Sequence, residues 1–196
     1  MTIVVTNNTS SKQMIDHLKH KLSKIISVDF GYEYHEIINM ETNIQYLAKI
    51  LMHDINESSI DKLENLSREL DVILKLNYPS ILNFIKFNPT DFSNNQRQLI
   101  LMEFASNGTL NDFFYNTKSK VLKMIGWDRL KQFIVIYGIA SAMSYLHFHG
   151  IIHCNLTPNS IYLDSDFYPK ISGFDFSQKQ DSISEISVFN LKSTIV

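Results

Sequence analysis

Apolar residues recur along this chain with two periods, and the changes of period mark its elements. Met14, Ile15, Leu18, Leu22 and Ile25 recur at steps of three or four, which predicts a short helix after the polar stretch "NNTSSKQ". "YEYHEIINM" and "NIQYLAKILMH" are rich in Ile and Tyr around the polar turn "ETN", so they read as two strands. In "ESSIDKLENLSRELDVILKL", Ile60, Leu63, Leu66, Leu70, Ile73 and Leu74 form one stripe of a helix that Ser58 or Ser59 can cap. Pro79 stops it, because a proline steers the residue before it away from helical geometry. "ILNFIKF" and "QRQLILMEFA" read as strands around the loop "NPTDFSNN", followed by the turn "SNGT" and a short helix "LNDFFYN". The clearest helix runs from Trp127 to His147. Leu130, Phe133, Ile136, Ala140, Met143 and Leu146 recur there at helical steps, and Asp128 near its start suits the helix dipole. Two short strands, "SIYLD" and "PKISG", close the readable part around the turn "SDFY". This order argues for an α+β fold with two lobes rather than an alternating parallel sheet.

Composition narrows the class. With 44% hydrophobic residues and a net charge of -2, the chain can build a core and is neither strongly basic nor strongly acidic. That argues against nucleic acid or a membrane surface as its partner. The single cysteine, Cys154, excludes an internal disulfide and fits a reducing compartment. No apolar run approaches the roughly 20 residues of a membrane helix. "MTIVVTNNTSSK" lacks the basic start of a signal peptide. The expectation is a cytoplasmic protein.

Chemistry-bearing residues fall at the junctions of these elements. "YLAK", ending at Lys49, lies in the second of the predicted strands. On the following helix Leu66, Glu69 and Ile73 share one face. A carboxylate on an apolar face needs a partner, and Lys49 is the natural one. "LILMEFASNGTL" and "GIASAMSYLHFHGIIHCNLTPNSIYLD" follow in order. From about Ile25 to Val196 this succession resembles the protein kinase domain, in its serine/threonine and tyrosine-kinase-like branches. The resemblance implies a small lobe of antiparallel sheet plus one helix, and an incomplete, mainly helical large lobe. The expected boundaries are 1–24 for a lead-in with a short helix, 25–105 for the small lobe and hinge, and 106–196 for a partial large lobe. It further implies that Lys49 and Glu69 pair, that Leu47 belongs to the adenine roof and Met102 is the gatekeeper. Glu103, Phe104 and Ala105 would form the hinge, and Ile73, Phe84, His153 and Phe174 a spine of packed side chains.

The same resemblance exposes what is missing. Against the catalytic pattern H-R-D-L-x-x-x-N, this chain reads His153, Cys154, Asn155, Leu156 and then Ser160. Asn155 stands in place of the aspartate base, and a neutral amide cannot take a proton at pH 7. Thr157 replaces the usual lysine, and Ser160 the metal-holding asparagine. D-F-G reads Gly173-Phe174-Asp175, which leaves no side chain at the magnesium ligand. Moving the ligand to Asp175 fails, because Phe174 then leaves its slot. The glycine-rich loop would end at Gly31, with Ile26 and Val28 at its first two glycines and Glu33 at the valine that covers adenine. No proline follows Pro169, so A-P-E is absent and the resemblance implies a C-terminal truncation.

His147, His149, His153 and Cys154 match no usual zinc spacing, and no metal is expected. Neither ATP nor magnesium is expected to bind, and no cofactor. Lys49 and Glu69 admit a second reading as an ordinary buried ion pair. The expected function is a pseudokinase: a non-enzymatic scaffold or allosteric module with a protein partner, an active kinase among the candidates. The apolar 127–147 helix offers a route to self-association. The alternatives are a residual kinase or weak ATP binder, and a degenerate truncated product.

Overall fold

The computed structural model describes residues 19–29, 31–53, 60–116 and 127–180. The chain divides into two compact units, residues 1–60 with 83–104 and residues 61–82 with 105–196. Expectations for 1–18, for the caps Ser58 and Ser59, and for 181–196 lie outside the described residues.

The first unit is a five-stranded antiparallel sheet. Its strands are β1 (His20–Asp29), β2 (Tyr32–Asn39), β3 (Gln45–Leu51), β4 (Phe84–Asn88) and β5 (Leu99–Glu103), in the order β1-β2-β3-β5-β4. The β2–β3 turn is made by asparagines. Asn39 Oδ1 accepts the Glu41 and Thr42 N–H groups at 3.0 Å each, and Asn43 takes φ 60, a conformation asparagine tolerates better than most residues. One face of the sheet packs Ile37, Ala48, Ile50, Leu99 and Leu101 into a core with Tyr46 and Phe92. By strand alternation, Leu47, Lys49, Leu51, Ile100 and Met102 belong to the opposite face.

β1 corrects the expected helix. Residues 20–26 are strand, paired with β2 from His20↔Asn39 to Asp29↔Tyr32. Leu22 and Ile25 satisfy a helical step, but a register irregularity lies between them in the strand, and β-branched Ile25, Ile26 and Val28 favour the ladder.

The second unit holds α1 (Ile60–Ile73, from its second residue on), α2 (Leu110–Asn116) and α3 (Arg129–Phe148). Two short ladders join them: β6 (Ile151–Ile152) with β9 (Gln178–Lys179), and β7 (Ile161–Leu163) with β8 (Pro169–Ile171). Thr109 and Asp112 cap α2 reciprocally: Asp112 N–H donates to Thr109 Oγ1 at 3.0 Å, and Thr109 Oγ1 donates to Asp112 Oδ2 at 2.6 Å. Asp128 caps α3 by accepting the Lys131 N–H at 3.0 Å.

Part of the apolar stripe of α3 lies at the surface, as expected of a helix offered as a route to self-association. Leu130, Phe133 and Ile136 are 66%, 67% and 63% exposed, while Val135, Gly138, Ala142 and Leu146 are buried. The helix is apolar on nearly every side, so its period left the packed face undetermined. Gly138 and Ala142 decide it, because small residues let β8 and its Pro169 come close. On α1, Leu66, Glu69, Val72 and Ile73 are buried, but Leu74, past the helix end, is exposed.

Candidate functional site

Two segments of the second unit carry most of the expected site. The loop 153–160 leaves β6, and Ser172 and Gly173 leave β8. His153 joins them. Its ring is buried, its Nε2 lies 2.9 Å from the Ser172 carbonyl, and its Nδ1 lies 3.2 Å from the Asn155 N–H. A carbonyl only accepts, so Nε2 carries the proton. An N–H only donates, so Nδ1 is bare. The ring is therefore neutral, and burial holds its pKa below the usual histidine value, against the Ser172 hydrogen bond and the charge of Asp175.

The sign of the linkage follows. Above pH 6.5 neither folded nor unfolded His153 binds a proton. As pH falls through 6.5 the unfolded chain gains a proton that the folded chain refuses, and stability falls by at most about 1.4 kcal/mol per pH unit. Urea melts between pH 7.5 and 5 are expected to show this slope, and His153→Leu to flatten it. A loss beginning only below pH 4.5 would instead belong to carboxylates such as Glu33 and Asp91. Glu33 is held low chiefly by its His35 hydrogen bond. In Asp91 burial acts upward but is outweighed by hydrogen bonds from Asn95 and Ser93.

Ser160 has its hydroxyl fully engaged by the loop backbone. Its Oγ accepts the Thr157 N–H at 2.9 Å and shares its own proton between the carbonyls of Thr157 at 2.9 Å and Asn155 at 3.1 Å. Gly173 stands beside it with φ 79, and a Cβ built on Gly173 would sit 3.2 Å from Ser160 Cβ. The structure thus brings together the two positions at which the resemblance places metal ligands in the family. One is a buried hydroxyl already bonded and the other has no side chain, so these residues do not fit a magnesium ion. Among the described residues, no three His, Cys, Asp or Glu side chains gather as metal ligands would. Asn155 lends the loop its backbone at both ends, and Cys154 turns it with φ 60 and an exposed thiol.

In the first unit, Leu47 and Met102 are directly opposed across β3 and β5, and both are buried. Lys49, two residues along the same face, is also buried. Glu33 corrects the expected roof. It pairs with Ile50, on the face opposite Leu47 and Lys49, and its carboxylate accepts Arg97 Nη2 at 2.8 Å and His35 Nε2 at 3.0 Å. The β2 residues on the Lys49 face are Tyr32, Tyr34 and Glu36. Tyr32 is a site residue the sequence reading missed: Lys49 Nζ lies 4.2 Å from its ring centroid.

Of the expected spine, the His153 and Phe174 rings are in contact with centroids 4.8 Å apart, and Ile73 is buried on α1. Phe84 is half-buried on β4. Glu69 is buried on α1. Glu103 accepts the Asn83 N–H at 2.9 Å, and the Ala105 carbonyl accepts the Gly108 N–H at 3.1 Å. Thr157 takes part through its backbone, bonded to the Ser160 hydroxyl.

A family model of the protein kinase domain matches residues 29–194. The chain is 32% identical over 123 residues to the leaf rust 10 disease-resistance locus receptor-like protein kinase-like 1.3 of Arabidopsis thaliana, covering 62% of this chain and 17% of that protein. It is 30% identical over 115 residues to the serine/threonine-protein kinase PLK4 of Xenopus tropicalis, covering 59% and 11%. To the cysteine-rich receptor-like protein kinase 45 of Arabidopsis thaliana it is 26% identical over 152 residues, covering 76% and 39%. The chain thus spans well under two thirds of the length of these relatives. Among the described residues, no helix is long and apolar enough to cross a membrane.

Proposed function

We propose that this chain, which belongs to the protein kinase domain family, is a kinase-like module that transfers no phosphate and acts by binding a protein. One observation carries the reading: the Ser160 hydroxyl is bonded into its own loop beside a Gly173 without a side chain. Phosphoryl transfer depends on positioned metal charge, with a base to orient the nucleophile. Asn155 supplies no base, and general acid–base catalysis alone is worth on the order of 10²–10⁴ in rate. Restoring one ligand by Gly173→Asp leaves the other position bonded as before.

The exposed Leu130, Phe133, Ile136 and Tyr137 of α3 support association with a protein, a second copy or an active kinase among the candidates. The exposed free thiol of Cys154 supports a reducing compartment such as the cytoplasm. A second reading, a residual serine/threonine kinase or weak ATP binder, draws on the kinase names of the relatives and on Lys49.

Phosphate incorporation decides between them. Purified protein with labelled ATP, magnesium or manganese, and generic protein substrates is expected to give no signal above its Lys49→Ala variant. Incorporation that this variant abolishes would establish the second reading. On size-exclusion chromatography the same protein is expected to elute larger as concentration rises. A monomer at every concentration would remove self-association from the reading.

A further inference from the structure

The outer face of α3 has an order of sizes along it. Leu130, Phe133, Ile136, Tyr137 and Phe148 are exposed, the last two at 76% and 86%. Ala140, Ser144 and His147 are exposed as well. At 3.6 residues per turn these positions fall in one stripe about 120° wide, opposite Gly138, Ala142 and Leu146. Between Lys131 and Asp164 the sequence holds no Asp, Glu, Lys or Arg, so from Gln132 onward the stripe has no permanent charge. It therefore offers a strongly charged partner nothing to pair with. Along the middle of the stripe two rings, Phe133 and Tyr137, come first and two small residues, Ala140 and Ser144, follow. The five large apolar side chains expose roughly 500–700 Å², taking about 150–250 Å² for a whole aromatic side chain, which is short of the ~800 Å² per partner of a standard interface. Such an area suits concentration-dependent pairing, with the monomer prevailing at the low concentrations of a melt.

We infer that α3 pairs with α3 of a second copy, antiparallel about a two-fold axis, so that Phe133 of each copy packs on Ser144 of the other and Tyr137 on Ala140. The inference rests on the reading above, of a module that acts by binding a protein, and names the partner and its geometry. A two-fold interface sets one patch against itself in reverse order. Reversal about the point between Gly138 and Ile139 brings each central ring over a small residue, the alternation that lets two faces interdigitate. A parallel pair would instead set Phe133 on Phe133 and Tyr137 on Tyr137, and leave voids at Ala140 and Ser144. The antiparallel order also lays the start of one helix beside the end of the other. Arg129, exposed at the start, then meets the negative end of the other helix and the Phe148 ring there.

Analytical ultracentrifugation over a concentration series, with exchanged side chains, tests this pairing. Wild-type protein is expected to show a monomer–dimer equilibrium. Phe133→Ser removes the ring and Ser144→Phe sets ring against ring. Each acts twice in a symmetric pair, and each should raise the dimer Kd about tenfold or more. Both substitutions in one chain exchange ring and hollow, and should return the Kd to within about threefold of wild type. Both positions are exposed, so the variants keep their fold, which circular dichroism verifies. Cross-linking gives the direction independently. In a Cys154→Ser background, a mixture of Phe133→Cys and Ser144→Cys proteins should form the mixed disulfide, and neither protein alone should. In the antiparallel pair like positions lie about 16 Å apart along the axes, beyond the reach of a disulfide. A wild-type monomer at every concentration would overturn the inference and give the face to a different protein. A double variant as weak as the single ones, or a disulfide formed by Phe133→Cys alone, would overturn it too. All three results leave the absence of phosphate transfer standing, since labelled ATP reads that separately; incorporation there would count against that reading and not against the pairing.

Discussion

Gly138→Ala is expected to destabilise the protein by about 1–3 kcal/mol, although helix propensity alone predicts the reverse. In the interior of a helix, alanine is better than glycine by about 1 kcal/mol. Gly138 lies mid-helix in α3, so an isolated helix would gain. The packing decides otherwise. A Cβ at Gly138 would come against Pro169 Cγ, lie 2.9 Å from Pro169 Cδ and 3.1 Å from Ser80 Oγ. A proline ring cannot turn aside as a flexible side chain does, and Pro169 is pinned as the first residue of β8, paired with Leu163. Ser80 is held too, since its carbonyl accepts the Ile171 N–H at 2.9 Å. Relief must come from moving α3 off β8. At roughly 2–4 °C per kcal/mol for a chain of this size, the melting temperature should fall by several degrees. Tyr137→Ala, at a neighbouring exposed position, is expected to change it little. An unchanged or higher melting temperature for Gly138→Ala would mean that α3 does not rest on Pro169.

The residues that make Gly138 matter also mark where the sequence stopped being informative. The extents of β2, β3, β5, α1 and α3 could be read because period, caps and turn residues agree there. Which side of α3 packs could not, because Leu130, Phe133 and Ile136 offer the same period as Val135, Gly138 and Ala142. The parity of β2 was equally hidden. A one-residue slip turns every side chain to the other face. The glycine-rich pattern alone put Glu33 over the Lys49 face, whereas the register Tyr34↔Lys49 sends it to the other side, beside Arg97. The strand pair β6–β9, two residues on each side, is too short to have a period. At the site, the identities of Asn155, Ser160 and Gly173 were legible one by one. That Ser160 gives its proton to its own loop is a fact of three-dimensional bonding, and no residue pattern encodes it.

Phe174→Ala tests the register on which the reading of Gly173 depends, and it should cost about 3–5 kcal/mol, the range for emptying a buried phenylalanine site. Phe174 is 1% exposed, and its ring meets His153 at 4.8 Å with the planes inclined by 52°. Its carbonyl accepts both the Ser177 N–H at 3.0 Å and the Ser177 hydroxyl at 2.6 Å, which closes the 3-10 turn after Gly173. The slot is thus fixed by the backbone as well as by packing, and neighbouring residues cannot slide into it. Phe174→Leu keeps apolar volume and should cost less. Combined with His153→Leu, Phe174→Ala should show a coupling of about 0.5–1.5 kcal/mol, the contribution of an aromatic pair beyond its burial. A cost under about 1 kcal/mol for Phe174→Ala, with no coupling to His153, would show that Phe174 is not the buried member of its triplet. The family's metal ligand would then fall on Asp175 in place of Gly173. A carboxylate would return to the site, and the case against phosphoryl transfer would rest on Asn155 and Ser160 alone.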